Sequence, residues 1–416
     1  MLLFLFIIGY NVYFANLHSH TALSDGEGTP EEAFLYARDS AGIDILAVTD
    51  HSHYLTEAAC RVLKDVAARF TDEGRFVALF GQEFGSLGQD GFGHVDVFEA
   101  ESVCIVDRGN LDAFYDWAVR TNRPAQFNHP NLFGKNFNGF SYHACADQVL
   151  GLVELLNQDN LAEVDLGLCL AKGWQVGVAA NQDNHHRKWG DAPNRFGRIP
   201  LCGILAERLS KAEVLEAIAA GRTFAFEAYP SEDRMRLDFT IDGIAMGGRV
   251  ATPRRTITLR VTASAHTEFD RFYLYRNGFV VDSVMNLSCV TLEYARVDTV
   301  GNDYYHVKVV QKDGDRAWSS PIWVLVRSTK GSVEVWPNPV QDRARIIFPS
   351  GDDFRLAEVI IGNVVGQRVL YRKFSNPDDA VIETRGLARG VYFVKVVVWN
   401  RYGDRQFYQG KMAVIE

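Results

Sequence analysis

The chain has 416 residues and a formal net charge of −9, and 47% of its residues are hydrophobic while 23% are charged. These proportions are typical of globular proteins and exclude an intrinsically disordered chain, and the length predicts two to four domains at roughly 100–200 residues each. The negative charge does not favour binding to the phosphates of DNA or RNA, so nucleic acid is not an expected partner.

The first eight residues, MLLFLFII, resemble the apolar core of a signal peptide. They lack a preceding basic region and a clear cleavage site, and the stretch is too short to cross a bilayer. No other stretch is apolar enough to cross a membrane, so the sequence predicts no transmembrane segment.

Strand and helix signals alternate through residues 1–230. We expect strands at 12–17, 43–49, 76–80, 94–98, 125–128, 151–156 and 175–180, and helices at about 30–41, 56–70, 110–121, 159–172 and 210–220. The first helix begins with a capping box from Thr29 to Glu32, and Gly42 ends it. Repeated βα units predict a parallel sheet, and seven or eight such units that close on themselves predict a barrel.

The pattern changes after residue 230. Residues 235–327 alternate with period two and contain an Asn277-Gly278 hairpin signal, which favours an antiparallel β-sandwich. A linker near 328–331 precedes a second alternating region. The sequence therefore predicts an α/β barrel over 1–230, an accessory β-sandwich over 231–328 and a smaller β-sandwich over 329–416.

Histidines and carboxylates follow the strand ends of the predicted barrel, and a barrel brings strand ends to one face. Alternate strand residues point the same way, so His-x-His and Asp-x-His pairs can bind one ion from one side. The candidate metal ligands are His18, His20, Asp25, His51, Glu83, His94, His129, Asp183 and His185.

A single histidine is more often a surface or core residue than a ligand, but the joint pattern favours a metal site. One structural zinc needs about four ligands, so nine ligands predict two or three divalent ions with open positions for water. Imidazole and carboxylate ligands suit Zn, Mn or Fe, and acidified water is the nucleophile of metal-dependent hydrolysis. His53, His143 and His186 fit this pattern less well.

Six motifs resemble, in order, those of the PHP (polymerase and histidinol phosphatase) family of metallohydrolases. They are LHSHTALSDG at 17–26, AVTDH at 47–51, GQE at 81–83, GH at 93–94, NHP at 128–130 and DNH at 183–185. The resemblance covers about the first 230 residues and implies a distorted seven-stranded (β/α) barrel with a di- or trinuclear metal site.

The family resemblance also implies how the ligands are shared. One ion would be held by His18, His20, Glu83 and Asp183, a second by Glu83, His94 and His129, and a third by Asp25, His51 and His185. A metal-bridging hydroxide would be the nucleophile. Asp183 is the candidate proton acceptor, and Arg187 is either a ligand for a phosphate oxygen or part of a surface salt bridge.

The scissile bond stays open at this point. The accessory β-sandwich and the GRTFAFEA segment at 221–228 look most like the carbaryl-hydrolase-like branch, which implies that carboxylic or carbamic esters are possible substrates beside phosphoesters. A pocket lined by Arg187 and Lys188 would favour a phosphoesterase. An apolar pocket, favouring ester hydrolysis, could be lined by Phe133, Phe137 and Trp189. The intact ligand set argues against a third alternative, a non-catalytic surface binding protein.

The end of the chain resembles a type IX secretion sorting domain. The motifs are VWPNPV at 335–340, GQRV at 366–369, LARGVYF at 387–393 and KMAVI at 411–415. The resemblance implies that residues 329–416 contact the type IX secretion machinery, and that the protein is secreted or held on the outer cell surface.

Overall fold

A computed structural model describes residues 9–229, 234–252, 256–287, 290–297, 301–326, 332–348, 354–375, 380–400 and 405–415. The signal-like stretch 1–8 and the linker 328–331 lie outside these ranges. Within these ranges, every helix is too short or too polar to cross a membrane.

The chain divides into two compact units. The first consists of Met1–Gly248, Arg260–Glu293 and Tyr305–Ile322, and the second of Arg249–Leu259, Tyr294–Tyr304 and Trp323–Glu416. The predicted domain boundaries at 230 and 328 stay predictions.

Strands and helices alternate through residues 9–229. The strands are β1 (Asn11–Asn16), β2 (Ile45–Val48), β3 (Val77–Ser86), β4 (Gly93–Phe98), β5 (Ala125–Asn128), β6 (Leu150–Asn157), β7 (Asn160–Leu161), β8 (Gly177–Asn181), β9 (Ile199–Ala206) and β10 (Thr223–Ala228). The helices are α1 (Pro30–Asp39), α2 (Glu57–Phe70), α3 (Leu111–Thr121), the single turn α4 (Phe137–Phe140), α5 (Glu163–Ala171) and α6 (Lys211–Ala219). The predicted mixed α/β class is confirmed, and the number of barrel strands stays a prediction.

Helix α1 begins where the sequence predicts it. The Thr29 hydroxyl accepts a hydrogen bond from the backbone of Glu32, and the Glu32 carboxylate accepts one from the backbone of Thr29. These two bonds satisfy N–H groups that a helix start leaves without partners. The buried side of the helix, which includes Phe34, then packs onto the sheet side of α2.

The sheet of this region is mixed, so the expectation of a parallel sheet is wrong. β1–β2, β2–β3, β5–β6 and β6–β8 are parallel, whereas β3–β4, β4–β5, β1–β9 and β9–β10 are antiparallel. Parallel neighbours need a long crossover, and only residues 87–92 connect β3 to β4. A connection of that length makes an antiparallel pair. β9 and β10 were not predicted.

The strands surround one apolar core to which they contribute alternate residues. β1 provides Ala15, and β2 provides Ile45 and Ala47. Helix α6 adds Val214, Ala217 and Ile218 to the same cluster. One side of each strand thus faces this core, and β2 is buried on both sides.

Side-chain amides hold β8 against β1 at the end where the histidines lie. The backbone N–H of Leu17 donates to Asn181 Oδ1 at 2.7 Å, and that of Gln182 donates to Asn16 Oδ1 at 3.0 Å. A single bridge between Ser19 and Asn184 follows. These contacts fix the segment after β1 beside the segment after β8.

Strands of the accessory region continue the sheet of the first unit. The region contains β11 (Arg236–Ile241), β12 (Ile244–Ala245), β13 (Arg249–Thr252), β14 (Thr256–Ser264), β15 (Phe269–Arg276), β16 (Phe279–Leu287), β17 (Val290–Val297), β18 (Gly301–Gln311), β19 (Arg316–Ser319) and β20 (Ile322–Val326). β15 pairs with β16 and β18, β18 pairs with β19, and β19 pairs with β10, all antiparallel. The predicted period-two strands are confirmed, but one sheet is shared with the α/β region.

Polar contacts reinforce this junction within the first unit. Ser320 Oγ accepts a hydrogen bond from the N–H of Val178 at 2.9 Å and lies 3.1 Å from Thr223 Oγ1. Thr223 Oγ1 donates to the carbonyl of Val178 at 2.7 Å. β8, which leads into Asp183 and His185, is therefore anchored by the segment after β19.

The last region forms two antiparallel sheets. Its strands are β21 (Glu334–Trp336), β22 (Arg343–Ile347), β23 (Phe354–Gly362), β24 (Arg368–Phe374), β25 (Val381–Glu383), β26 (Gly390–Asn400) and β27 (Arg405–Val414). One sheet has the order β21-β22-β25 and the other β24-β23-β26-β27. Alternate residues of both, such as Ile346, Val359 and Val396, share one core, as in a β-sandwich.

The hydrogen bond from Val178 to Ser320 predicts the effect of a substitution on stability. Ser320→Ala leaves the buried N–H of Val178 without its acceptor, so we expect the free energy of unfolding to fall by about 1–3 kcal/mol. Urea unfolding followed by tryptophan fluorescence measures this. The exposed Ser283→Ala is the matched control and should change little. Equal stability of the two variants would contradict the anchoring role.

Candidate metal centre

The nine predicted ligands lie together at one end of the first unit. His18 and His20 follow β1, His51 follows β2, His129 follows β5, and Asp183 and His185 follow β8. Glu83 lies within β3, and His94 near the start of β4. Because β4 runs antiparallel to β3, its start lies at the edge where the other strands end.

The candidate ligands form four overlapping groups, and the ligand atoms of each group lie within 4.8 Å of one another. They are His20, Asp25, His51 and His185; His18, His20 and Glu83; His18, His129 and Asp183; and His51, Glu83 and His94. Every predicted ligand therefore belongs to at least one group. How the ions divide the ligands stays a prediction.

The carboxylate of Glu83 lies at the centre of the cluster, and only 1% of this residue is exposed. Its Oε1 lies 3.2 Å from His18 Nε2 and 3.1 Å from both His94 Nδ1 and His129 Nε2. Its Oε2 lies 2.9 Å from His51 Nδ1. A buried carboxylate is costly unless it is compensated, so these ring nitrogens are essential to its burial.

Asp183 faces the His-x-His pair. Its Oδ1 lies 3.1 Å from His20 Nε2 and 3.4 Å from His18 Nε2. Asp183 has φ of +45° and His129 has φ of +28°, in the left-handed region that side chains other than glycine rarely adopt. Such strained conformations cluster at functional sites, where the surrounding structure maintains them.

The remaining ligands form the open rim of the cluster. Asp25 Oδ2 lies 3.5 Å from His51 Nε2, and Asp25 Oδ1 lies 3.4 Å from His185 Nε2. The side chains of Asp25 and His185 are 40% and 33% exposed. Solvent therefore reaches the cluster from this side.

Glu154 is a buried acid that contacts two of the predicted ligands, and the sequence analysis did not identify it. Its Oε1 lies 3.0 Å from His18 Nδ1 and accepts a hydrogen bond from Asn181 Nδ2, while its Oε2 accepts one from the backbone of His129 at 2.6 Å. A carboxylate on the far nitrogen orients an imidazole and fixes its tautomer. The charged residue within the apolar β6 sequence LGLVELLN was the signal that could have revealed it.

Two further acids lie near the ligands. Asp50 accepts hydrogen bonds from the backbone and hydroxyl of Thr21 and from the hydroxyl of Ser24, which fixes the turn that carries Asp25. Asp96, two residues after His94, is fully buried, and this burial raises its pKa well above the ordinary range. Asp50 thus supports the rim, while Asp96 adds a protonatable group inside the region.

The central carboxylates are ionised because of their neighbours. Burial alone would raise the pKa of Glu83, but the charges of His94 and His18 hold it well below its usual range. The pKa of Asp183 is also lowered, because His18 and the hydrogen bond from His20 outweigh the effect of burial. Among the described residues, no lysine or arginine pairs with either carboxylate, so positive charge at the centre must come from imidazolium or from cations.

The donor set fits divalent metal ions. His18 Nε2 lies 3.2 Å from His20 Nε2, and both nitrogens face carboxylate oxygens. A cation at this point would accept the lone pairs of both the nitrogens and the oxygens. In the described part of the chain, the buried Nδ1 atoms of His20 and His129 have no hydrogen-bond partner. Imidazole and carboxylate ligands without thiolate suit Zn, Mn or Fe.

The other predicted contacts have partners other than those expected. Arg187 Nη1 donates to Glu32 Oε1 at 3.2 Å, and the Arg187 side chain is 59% exposed. Its role in phosphate binding stays a prediction. The three residues that were candidates for an apolar pocket do not form one, because Phe133 is exposed while Phe137 and Trp189 are buried.

One comparison identifies the end of the chain. Residues 334–403 match the family model of the secretion system C-terminal sorting domain. The chain therefore carries a type IX sorting domain, and the predicted location, secreted or at the cell surface, is confirmed.

The chain is also similar to other proteins. A structure described as a two-domain protein containing a predicted PHP-like metal-dependent phosphoesterase from Bacteroides vulgatus is 13% identical, covers 75% of this chain and 96% of that chain, and has a TM-score of 0.44. An uncharacterized protein of Chlamydia pneumoniae is 22% identical over 368 residues, which is 76% of this chain and 57% of that protein. One of Chlamydia trachomatis is 21% identical, with 74% and 56% covered. The chain spans little more than half the length of these Chlamydia relatives.

The contacts of Glu154 lead to a prediction about metal affinity. Glu154→Gln keeps the shape but removes the charge that orients His18, so we expect divalent metal affinity to fall about 10- to 100-fold. Titration of the metal-free variant with Zn²⁺ in a calorimeter measures the change. Glu216→Gln, on the surface of α6, is the control and should bind like the wild type. Unchanged affinity in Glu154→Gln would contradict the supporting role.

Proposed function

We propose that the protein is a secreted metal-dependent hydrolase of PHP type, and that it cleaves phosphoesters. The observation that supports this most strongly is the buried Glu83 carboxylate with four imidazole nitrogens within 3.2 Å of it, beside an open rim. A purely structural metal site is closed by about four ligands, whereas a catalytic site keeps open positions. The sorting tail is consistent with an extracellular substrate.

The proposed ligands follow the sets implied by the PHP motifs. They are His18, His20, Glu83 and Asp183 for one ion, Glu83, His94 and His129 for a second, and Asp25, His51 and His185 for a third. When bound, divalent ions lower the pKa of water and draw electrons from the bond to be broken. Glu154 orients His18 and the backbone of His129, which keeps these two ligands in place.

Asp183 is the proposed proton acceptor. Its side chain is 15% exposed, so solvent reaches it. His18 and His20 both contact Oδ1, so Oδ2 is the atom that can receive a proton from an attacking water. A general base must lie within hydrogen-bond reach of the water that it deprotonates, and Asp183 Oδ2 is the proposed atom.

Chromogenic substrates test the proposed function. We expect the Mn²⁺- or Zn²⁺-loaded protein to hydrolyse p-nitrophenyl phosphate or bis(p-nitrophenyl) phosphate, because the cluster holds the metals that such chemistry requires. A chelator should abolish turnover and added metal should restore it. Glu83→Gln should lower kcat at least 100-fold, an order of magnitude typical of losing one transition-state contact.

Three other outcomes would change the conclusion. Hydrolysis of p-nitrophenyl acetate or a carbamate, without phosphoester hydrolysis, would indicate an ester hydrolase on the same metals. Metal binding without any turnover would indicate a surface binding protein. Full activity of Glu83→Gln would contradict the site itself.

A further inference from the structure

Arg108 lies in the segment 99–110 between β4 and α3, near the metal ligands but outside every predicted set. This segment is held against β3 by the side chain of Gln82, the neighbour of Glu83. Gln82 Nε2 donates to the carbonyl of Ser102 at 2.9 Å, and its Oε1 accepts from the backbone of Cys104 at 2.8 Å. Both amide groups of one buried side chain thus fix the segment.

The Arg108 guanidinium is placed next to His94 by a backbone contact. Its Nε donates to the carbonyl oxygen of Gly85 at 2.5 Å, and Gly85 is the cross-strand partner of His94. Gly85 has φ of +129°, and a Cβ there would collide with the carbonyl of Gly93, so only glycine fits this contact. Directly opposite residues in antiparallel strands have Cα atoms about 5 Å apart, so the carbonyl that holds the guanidinium belongs to a residue that faces a predicted metal ligand.

The outer nitrogens of Arg108 have no acidic partner. Across the ranges that the structure describes, no carboxylate forms an ion pair with this half-buried side chain, and its only recorded hydrogen bond uses Nε. A cation without a counter-charge next to the open cluster has the properties of an anion-binding group.

The contrast with Arg187 is direct. Arg187 lies two residues after His185 of the Asp-x-His pair, yet it is paired with Glu32. An arginine already engaged with a carboxylate must lose that contact before it can bind an anionic substrate, whereas Arg108 need not. The two residues therefore form a natural comparison within one protein.

We propose that Arg108, rather than Arg187, binds an anionic oxygen of the substrate and makes the site select phosphoesters over neutral esters. The proposal rests on the proposed hydrolase function and names its substrate class. With Nε fixed on Gly85, the two Nη groups of the planar guanidinium can donate to phosphate oxygens, a geometry that guanidinium groups suit. A neutral ester presents no charged oxygen to these groups and gains little from them.

The test compares Arg108→Gln with Arg187→Gln in metal-loaded protein. We expect Arg108→Gln to lower kcat/KM for p-nitrophenyl phosphate about 10- to 100-fold, the size of losing hydrogen bonds to a charged group, and to leave kcat/KM for p-nitrophenyl acetate within about 3-fold. Affinity for inorganic phosphate, measured by calorimetry, should fall in parallel while metal content stays unchanged. Arg187→Gln should behave like the wild type.

The outcomes separate this proposal from the proposed function. Equal phosphate affinity in Arg108→Gln and wild type, or a loss only in Arg187→Gln, would overturn the role of Arg108 while the hydrolase stands. A loss of metal from Arg108→Gln would also overturn it, because the residue would then act on the ligands. A wild type that binds metal but hydrolyses neither substrate would contradict the function itself, and phosphate affinity would still report on Arg108.

Discussion

The burial of one negative charge, on Glu83, is the constraint on which the rest of the site depends. An isolated buried carboxylate is costly, and here four ring nitrogens and the amide of Asn128 surround it. Those four histidines are far apart in the sequence, and they come from the ends of β1, β2 and β5 and from the start of β4. The fold therefore has to bring several chain segments to one edge, so that their ring nitrogens lie within hydrogen-bond distance of one carboxylate.

Three features that a regular parallel barrel lacks bring these residues to one edge. β4 runs antiparallel, so His94 comes from the start of a strand and still meets ligands from strand ends. Between β1 and β8, amide side chains of Asn16 and Asn181 replace a continuous ladder, which lets the backbone turn where the ligands emerge. The segment after β19 then anchors β8 through Ser320, so the accessory strands contribute to the rigidity of the site.

The sequence predicted that nine candidate ligands would lie together, because His-x-His and Asp-x-His pairs at strand ends are recognisable in the sequence. It predicted the sorting tail for the same reason, since short motifs identify it.

It did not predict Glu154 or Arg108, because their roles depend on which segments become neighbours in space. It gave the wrong strand direction around β4, because periodicity describes which side of a strand is buried and says nothing about its direction relative to a neighbour. Arg187 is close to the predicted ligands in sequence, and it was therefore a candidate for binding phosphate. In the structure it forms a surface ion pair with Glu32.

The most direct measurement is a crystal structure of the metal-loaded protein with anomalous scattering data at the Mn and Zn absorption edges. We expect two or three anomalous peaks, with at least one in contact with Glu83 and the imidazoles of His18, His94 and His129 turned toward the ions. An absence of peaks after loading, with those imidazoles hydrogen-bonded directly to the carboxylate, would contradict a metal centre at this site.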